Sequence, residues 1–158
     1  GFNSISIMPT NLYGPYDNFS LKNSHVLAAL IRKFHDGKVS NLPEVVCWGD
    51  GTPLREFLHV DDLADAVLFC MENYDGNEII NVGTGKEISI ENLSIIIKEL
   101  IGYKGETLWD TSQPNGTHSK LLDVSKINEL GWEAKIKLTD GIKQTYEWFS
   151  DNKDKIKL

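Results

Sequence analysis

The stretch NLYGPYDNFSLKNSHVLAALIRKF, Asn11 to Phe34, carries a group able to move a proton. His25 sits at the start of a helix, behind a loop of Gly, Pro, Asn and Asp. Imidazole has an unperturbed pKa of about 6.5, so it can give and regain a proton near neutrality. An exposed histidine at a helix start is also commonly just solvated, and residue type alone leaves both readings open. Lys33 lies eight residues on, roughly 12 Å at about 1.5 Å per residue and within about 80° of the same helix face. A ligand with a reacting end and a phosphate end could touch both.

A second candidate is WGDGTPLREF, Trp48 to Phe57. A strand end, a glycine turn and a returning strand would bring an aromatic face and a guanidinium to one rim. Arg55 offers a planar fork for phosphate oxygens and Trp48 a stacking face. A core tryptophan beside a surface ion pair is the competing reading.

Two other motifs reduce to structure. Gly83-Thr84-Gly85 follows a strand, but a dinucleotide fingerprint needs a third glycine at position 88, which is Ile. The glycines are therefore read as a turn. Asp61-Asp62 resembles an acid–base pair, yet carboxylates at a helix start favour the helix dipole and cap free N–H groups. Cys47 and Cys70 lack C-x-x-C spacing, so no metal or redox pair is expected, and Cys70 reads as a small core residue.

The elements that must position these groups follow from periodicity. A buried strand is expected at Ser4–Met8, then loop from Thr10 to Asn23. A helix from Ser24 presents Leu27, Leu30, Ile31 and Phe34, with Asp36-Gly37 as its stop. Strands are expected at Val45–Trp48, Glu56–His59, Glu78–Val82 and Glu106–Trp109. A helix capped by Asp61 or Asp62 would turn Leu63, Ala64, Val67, Leu68 and Met71 inward. Ile90–Ile101 reads as a helix with Leu93, Ile96, Ile97 and Leu100 on one face, stopped by Gly102. After a polar loop, Leu121-Leu122 reads as a short strand and Asp123 as the cap of a small helix ended by Gly131. A last helix from Thr139 carries Ile142, Tyr146 and Phe149, with a frayed Lys-rich tail after Asp151. The class is α/β in small mixed units, without a linker that would divide the chain.

At 158 residues the chain suits one domain. A net charge of -7 argues against a nucleic-acid partner. No apolar run is long enough for a membrane helix, and no signal peptide is visible, so the cytoplasm is the default. The opening Gly1-Phe2-Asn3 lacks a methionine and leads straight into a strand. That suggests a sequence beginning inside a larger fold.

With these segments assembled, the chain resembles the C-terminal part of the GDP-L-fucose synthase family, a branch of the Rossmann-like extended short-chain dehydrogenase/reductases. PTNLYGP, WGDGTPLREFLHVDDLADAV and INVGTG are shared widely among nucleotide-sugar epimerases and dehydratases. YGPYDNF followed by NSHVLAALIRKFH, with GYKG and KLLDVSKINELGW, is similar to the fucose synthase branch. The resemblance implies NADPH-dependent epimerisation and reduction of a GDP-keto-sugar, with epimerisation needing an acid and a base on opposite faces. It makes His25 the acid, lying by the cofactor, and lines the nicotinamide side with Pro9, Thr10, Asn11 and Leu12. Lys33, Trp48, Arg55 and Asn115 would contact the substrate, although arginine is usual at Lys33 and aspartate frequent at Asn115. The family's glycine-rich loop, Ser, Tyr-x-x-x-Lys, cysteine base and dimer helices match nothing in this chain, and Cys47 and Cys70 fit neither cysteine position. The chain is thus expected to be a substrate-binding portion, with residues 1–16 as the last strand and loop of a cofactor domain. It should be inactive alone, in a complete enzyme that is a homodimer without a metal. Another nucleotide-sugar epimerase or dehydratase, or a non-catalytic nucleotide-sugar binding module, are the alternatives.

Overall fold

The computed structural model describes residues 4–155. Strands β1 (Ile7–Pro9) and β2 (Asn11–Tyr13) lead through a loop to helix α1 (Val26–Val39). Then come β3 (Glu44–Trp48), β4 (Leu54–His59), α2 (Val60–Asn73), β5 (Ile80–Val82), β6 (Glu87–Ser89) and α3 (Ile90–Ile101). Strand β7 (Glu106–Asp110), a long loop, α4 (Ser125–Glu129) and α5 (Leu138–Asn152) complete the order.

The strands form three small sheets: β1 parallel to β5, β3 parallel to β7, and β4 between parallel β2 and antiparallel β6. These are the small mixed units expected. One core joins α1, α3 and α5 through Leu27, Ile31, Phe34, Ile97, Ile142 and Phe149. A second lies under α2 and α4 and contains Leu58, Ala66, Cys70, Ile80, Ile127 and Trp132. Ser89 caps α3 by accepting from the Asn92 N–H, and Gly102 closes it with φ 76°, a left-handed stop.

Several expectations need correction. Asn11–Tyr13, read as loop, is a strand, because β4 supplies parallel partners that local Gly and Pro signals cannot reveal. The first strand is Ile7–Pro9 rather than Ser4–Met8, and it is not buried: Met8 is 49% exposed. Strand β6 was missed. The expected strand at Leu121-Leu122 is irregular chain. Helix α1 starts at Val26 and runs past Asp36-Gly37 to Val39. Gly37 is there for close packing, since a Cβ would sit 2.6 Å from a Val45 methyl.

The cap of α2 is His59, whose Nδ1 accepts from the Asp61 N–H, so Asp61 and Asp62 fall in the first turn. Its inward face is Asp62, Ala66 and Cys70, while Ala64, Leu68 and Met71 face outward. Asp62 is drawn in because it accepts from the Lys135 and Ile136 N–H groups. On α3, Ile101 is buried in place of Leu100. The cap of α4 is Val124, with Asp123 accepting one residue earlier from the Ser125 N–H and hydroxyl. The expected fraying after Asp151 is checked only as far as Lys155, where the described chain ends in a turn.

Candidate functional site

The glycine turn after β5 holds an internal anion. Glu56, fully buried on β4, accepts through Oε1 from the Thr84 and Gly85 N–H groups at 2.6 and 2.7 Å. Its Oε2 accepts from the Leu122 N–H at 3.1 Å. Gly83 leaves no room for a Cβ against this carboxylate. The amides a pyrophosphate would need are therefore already occupied, and the turn does not fit that part of a dinucleotide.

The unoccupied polar groups lie elsewhere. A cleft of about 650 Å³ runs along Met8 to Leu12 and is closed by Asp17, His25 and the segment Lys120–Leu122. It brings His25 together with Pro9, Thr10, Asn11 and Leu12. The Asn11 amide and Thr10 hydroxyl both donate to the Glu56 carbonyl, at 2.8 and 3.4 Å, which pins this wall to β4. His25 is the N-cap of α1, with φ -71° and ψ 159°, and its ring makes no capping hydrogen bond. The side chain is exposed, while its carbonyl accepts from the Ala29 N–H.

The loop that delivers His25 is tightly wired. Phe19 is buried against Trp148 and Phe149. Asn18 accepts from the Ser20 N–H and donates to the Asn23 carbonyl. Asp17 Oδ1 accepts from the Asn18 N–H at 2.7 Å, whereas Oδ2 is enclosed and has no partner. Burial pushes the Asp17 carboxyl above its ordinary range, with the Asn18 N–H and the nearby charge of His25 pulling the other way.

The second group gathers on the other side of the start of α1. Lys33 donates to the Val46 carbonyl at 2.8 Å and lies 5.3 Å from the centre of the Trp48 ring. Burial lowers the Lys33 pKa, while the nearby Cys47 and Asp110 oppose that shift. Leu30, Lys33, Cys47, Trp48, Ile90 and Trp109 line a smaller cavity of about 200 Å³. Ser24 and Val26 reach this cavity and His25, between them, reaches the first cleft, so Lys33 and His25 address neighbouring spaces.

Strands β3 and β4 do not form a hairpin, since they belong to different sheets. Arg55 instead faces the loop before α4: a Cβ on Gly116 would be 3.4 Å from its Nη2. Asn115 Oδ1 accepts from the Asp50 N–H at 2.8 Å, joining that loop to the turn after Trp48. Trp48 is 60% exposed and Arg55 has no ion pair among the described residues, so neither half of the core-and-salt-bridge reading survives.

Asp17 and Lys120 were missed as cleft residues. Asp17 stood in the DNF stretch but carried no periodicity, and Lys120 arrives by a long-range contact. Among the described residues no cluster of three or more His, Cys, Asp or Glu is placed to hold a metal, and no helix is long and apolar enough to cross a membrane.

A model of the NAD dependent epimerase/dehydratase family matches residues 1–83. The chain is 58% identical over 152 residues to a probable GDP-L-fucose synthase 1 of Oryza sativa subsp. japonica, covering 96% of this chain and 46% of the relative. It is 48% identical over 163 residues to the GDP-L-fucose synthase of Escherichia coli (strain K12), covering 96% of this chain and 50% of that one. The crystal structure of a GDP-L-fucose synthetase from Naegleria fowleri bound to NADP superposes with a TM-score of 0.91 at 32% identity, covering 96% of this chain and 48% of the other. The chain thus spans about half the length of the relatives it matches.

Proposed function

The chain belongs to the NAD dependent epimerase/dehydratase family, and from that premise we propose that it is the substrate-binding portion of a GDP-L-fucose synthase. In the complete enzyme it would serve the NADPH-dependent 3,5-epimerisation and 4-reduction of GDP-4-keto-6-deoxy-D-mannose. The observation that carries this reading is the imidazole of His25, exposed in the same cleft as Pro9–Leu12 and making no capping hydrogen bond. The high identity to GDP-L-fucose synthases across this chain supports the choice of substrate.

Leu12 and Leu122 give the cleft apolar flanks, against which a flat ring of a cofactor would lie. NADPH, when bound, supplies the hydride for the ketone carbon. Pro9–Leu12 would form the wall of the nicotinamide side, held rigid by the two bonds to the Glu56 carbonyl. The phosphates must be held outside this chain's glycine turn, because Glu56 fills it. During epimerisation a base contributed by the rest of the enzyme removes the proton beside the ketone. His25 then delivers its own proton to the opposite face of the enolate carbon and recovers one from water. Trp48, Arg55 and Lys33 would hold the GDP end, with Asn115 fixing the turn behind Trp48. The same reading makes the complete enzyme a cytoplasmic homodimer and leaves this chain inactive alone.

The test uses the complete protein with NADPH and the GDP-keto-sugar, following NADPH oxidation and product. Exchange of solvent deuterium into the two epimerised carbons reports proton removal separately. General acid catalysis is typically worth about 10²–10⁴ in rate, and His25→Asn should lose that much product formation with GDP affinity unchanged. Near-normal turnover by His25→Asn would overturn the role, and a wild-type protein acting only on UDP- or dTDP-sugars would overturn the substrate.

A further inference from the structure

We propose that Asp17 is the positioning residue for His25, its unpartnered Oδ2 accepting the ring N–H that faces away from the substrate. It would aim the imidazole into the cleft and keep it in the protonated, proton-donating form. The inference rests on the acid role assigned to His25 above and adds a residue to it.

Three observations converge. Asp17 and His25 line the same cleft, on the same stretch of loop and helix start. One Asp17 oxygen is fixed by the Asn18 N–H, so the other has a defined direction, and that oxygen is shut off from solvent with no donor. The His25 ring makes no capping hydrogen bond to its own helix. An orphaned acceptor and an unused donor on one cleft are complementary, and catalytic hydrogen bonds often tighten only once substrate is bound. The loop can bear the load, since Phe19 is buried and Asn18 ties it at two points.

The electrostatics call for such a partner. His25 stands at the N-terminus of a 14-residue helix, where the dipole disfavours a cation. Lys120, from the loop before α4, is the other charged side chain lining the cleft and repels an imidazolium too. Strands β1 and β2 contribute Met8 to Leu12 and no charge. On α1 itself, Arg32 is paired with Asp36 and Lys33 turns to the neighbouring cavity. Asp17 is therefore the anion on this cleft that can offset these cations.

Asp17→Asn in the complete protein is a mild variant, because the amide oxygen can still accept from Asn18. The expected result is a fall of about 10- to 100-fold in kcat, with KM for the GDP-sugar and the melting temperature unchanged. An opposite charge nearby favours the protonated imidazole. The pH above which activity is lost should accordingly move down, and Asp17→Glu should recover part of both effects. A titration of the His25 ring by NMR, without substrate, should show the same downward shift in Asp17→Asn. If the ring titrates unchanged and the pH–rate profile does not move, the proposal is overturned. If the ring titration shifts while the wild-type protein turns over no GDP-keto-sugar, the pairing stands and the proposed activity falls.

Discussion

Glu56 and Asp17 both withdraw carboxylate oxygens from water, and the chain treats them in opposite ways. Glu56 receives backbone N–H groups from Thr84, Gly85 and Leu122, and thereby ties β4 to the turn after β5 and to the loop before α4. Asp17 has one oxygen served by its own neighbour and the other by nothing. Leaving a buried acceptor unpaired costs roughly 1–3 kcal/mol. A fold that satisfies three backbone donors around Glu56 and none at Asp17 Oδ2 has spent its backbone amides on structure at one place and left an acceptor free at the other. The difference separates a motif that looks functional from a loop that looks like filler.

The largest expected effect tests the structural side. In Glu56→Gln an NH2 group must face at least one backbone N–H that now donates to oxygen. Hydrogen bonds to charged groups are worth about 1.5–3 kcal/mol each, so unfolding in urea should show a loss of about 2–4 kcal/mol. His25→Asn should not destabilise the chain, since it places a preferred N-cap residue at the start of α1. Equal urea midpoints for Glu56→Gln and the parent would mean that the carboxylate holds nothing together.

The next effect sets Arg55 against His25. A phosphate-bound arginine in a partly buried site contributes on the order of 1.5–3 kcal/mol. Arg55→Ala in the complete protein should then weaken GDP binding by roughly 10- to 100-fold, measured by calorimetry. His25→Asn should leave that affinity alone. Unchanged GDP affinity in Arg55→Ala would leave Arg55 with a structural role alone.

Legibility in the sequence follows the range of the interactions concerned. The faces of α3 and α5 could be read because helical periodicity is local, and so could the Gly102 stop. Strand β2 could not, since its pairing with β4 joins Asn11 to Phe57 across the chain. The inward face of α2 was misjudged because its buried polar residue, Asp62, is drawn in by amides some seventy positions away. Gly83-Thr84-Gly85 could be rejected as a fingerprint from its missing third glycine, but the carboxylate it holds could not be named. At the site, the family resemblance, not periodicity, put His25 and Pro9–Leu12 by one cofactor, and one cleft is lined by both. Asp17 was not visible, because the sign of its importance is a missing bond.

His35 offers the finest test of the comparison, being satisfied in one protonation state alone. It is buried on α1, with Nδ1 3.2 Å from the Tyr146 hydroxyl and Nε2 3.1 Å from the Lys153 ammonium. An ammonium can only donate, so Nε2 accepts and Nδ1 carries the proton toward Tyr146. Protonating the ring would set two donors against each other. Burial lowers the His35 pKa first, and Lys153 lowers it further, with Lys38 and Arg32 adding to Lys153 and Asp36 opposing. The unfolded chain titrates near the ordinary value of 6.5, so below that pH it binds a proton that the folded chain refuses. The contribution to stability is therefore complete above 6.5 and erodes as pH falls toward the depressed folded value. His59, lowered by its own burial, acts in the same direction and must be subtracted as background. Urea unfolding at pH 7.5 and 5.5 should show a smaller acid loss in Lys153→Ala than in the parent, because one repelling cation is gone. An identical acid loss in both proteins would show that Lys153 does not act on the ring, and that the contact is packing alone.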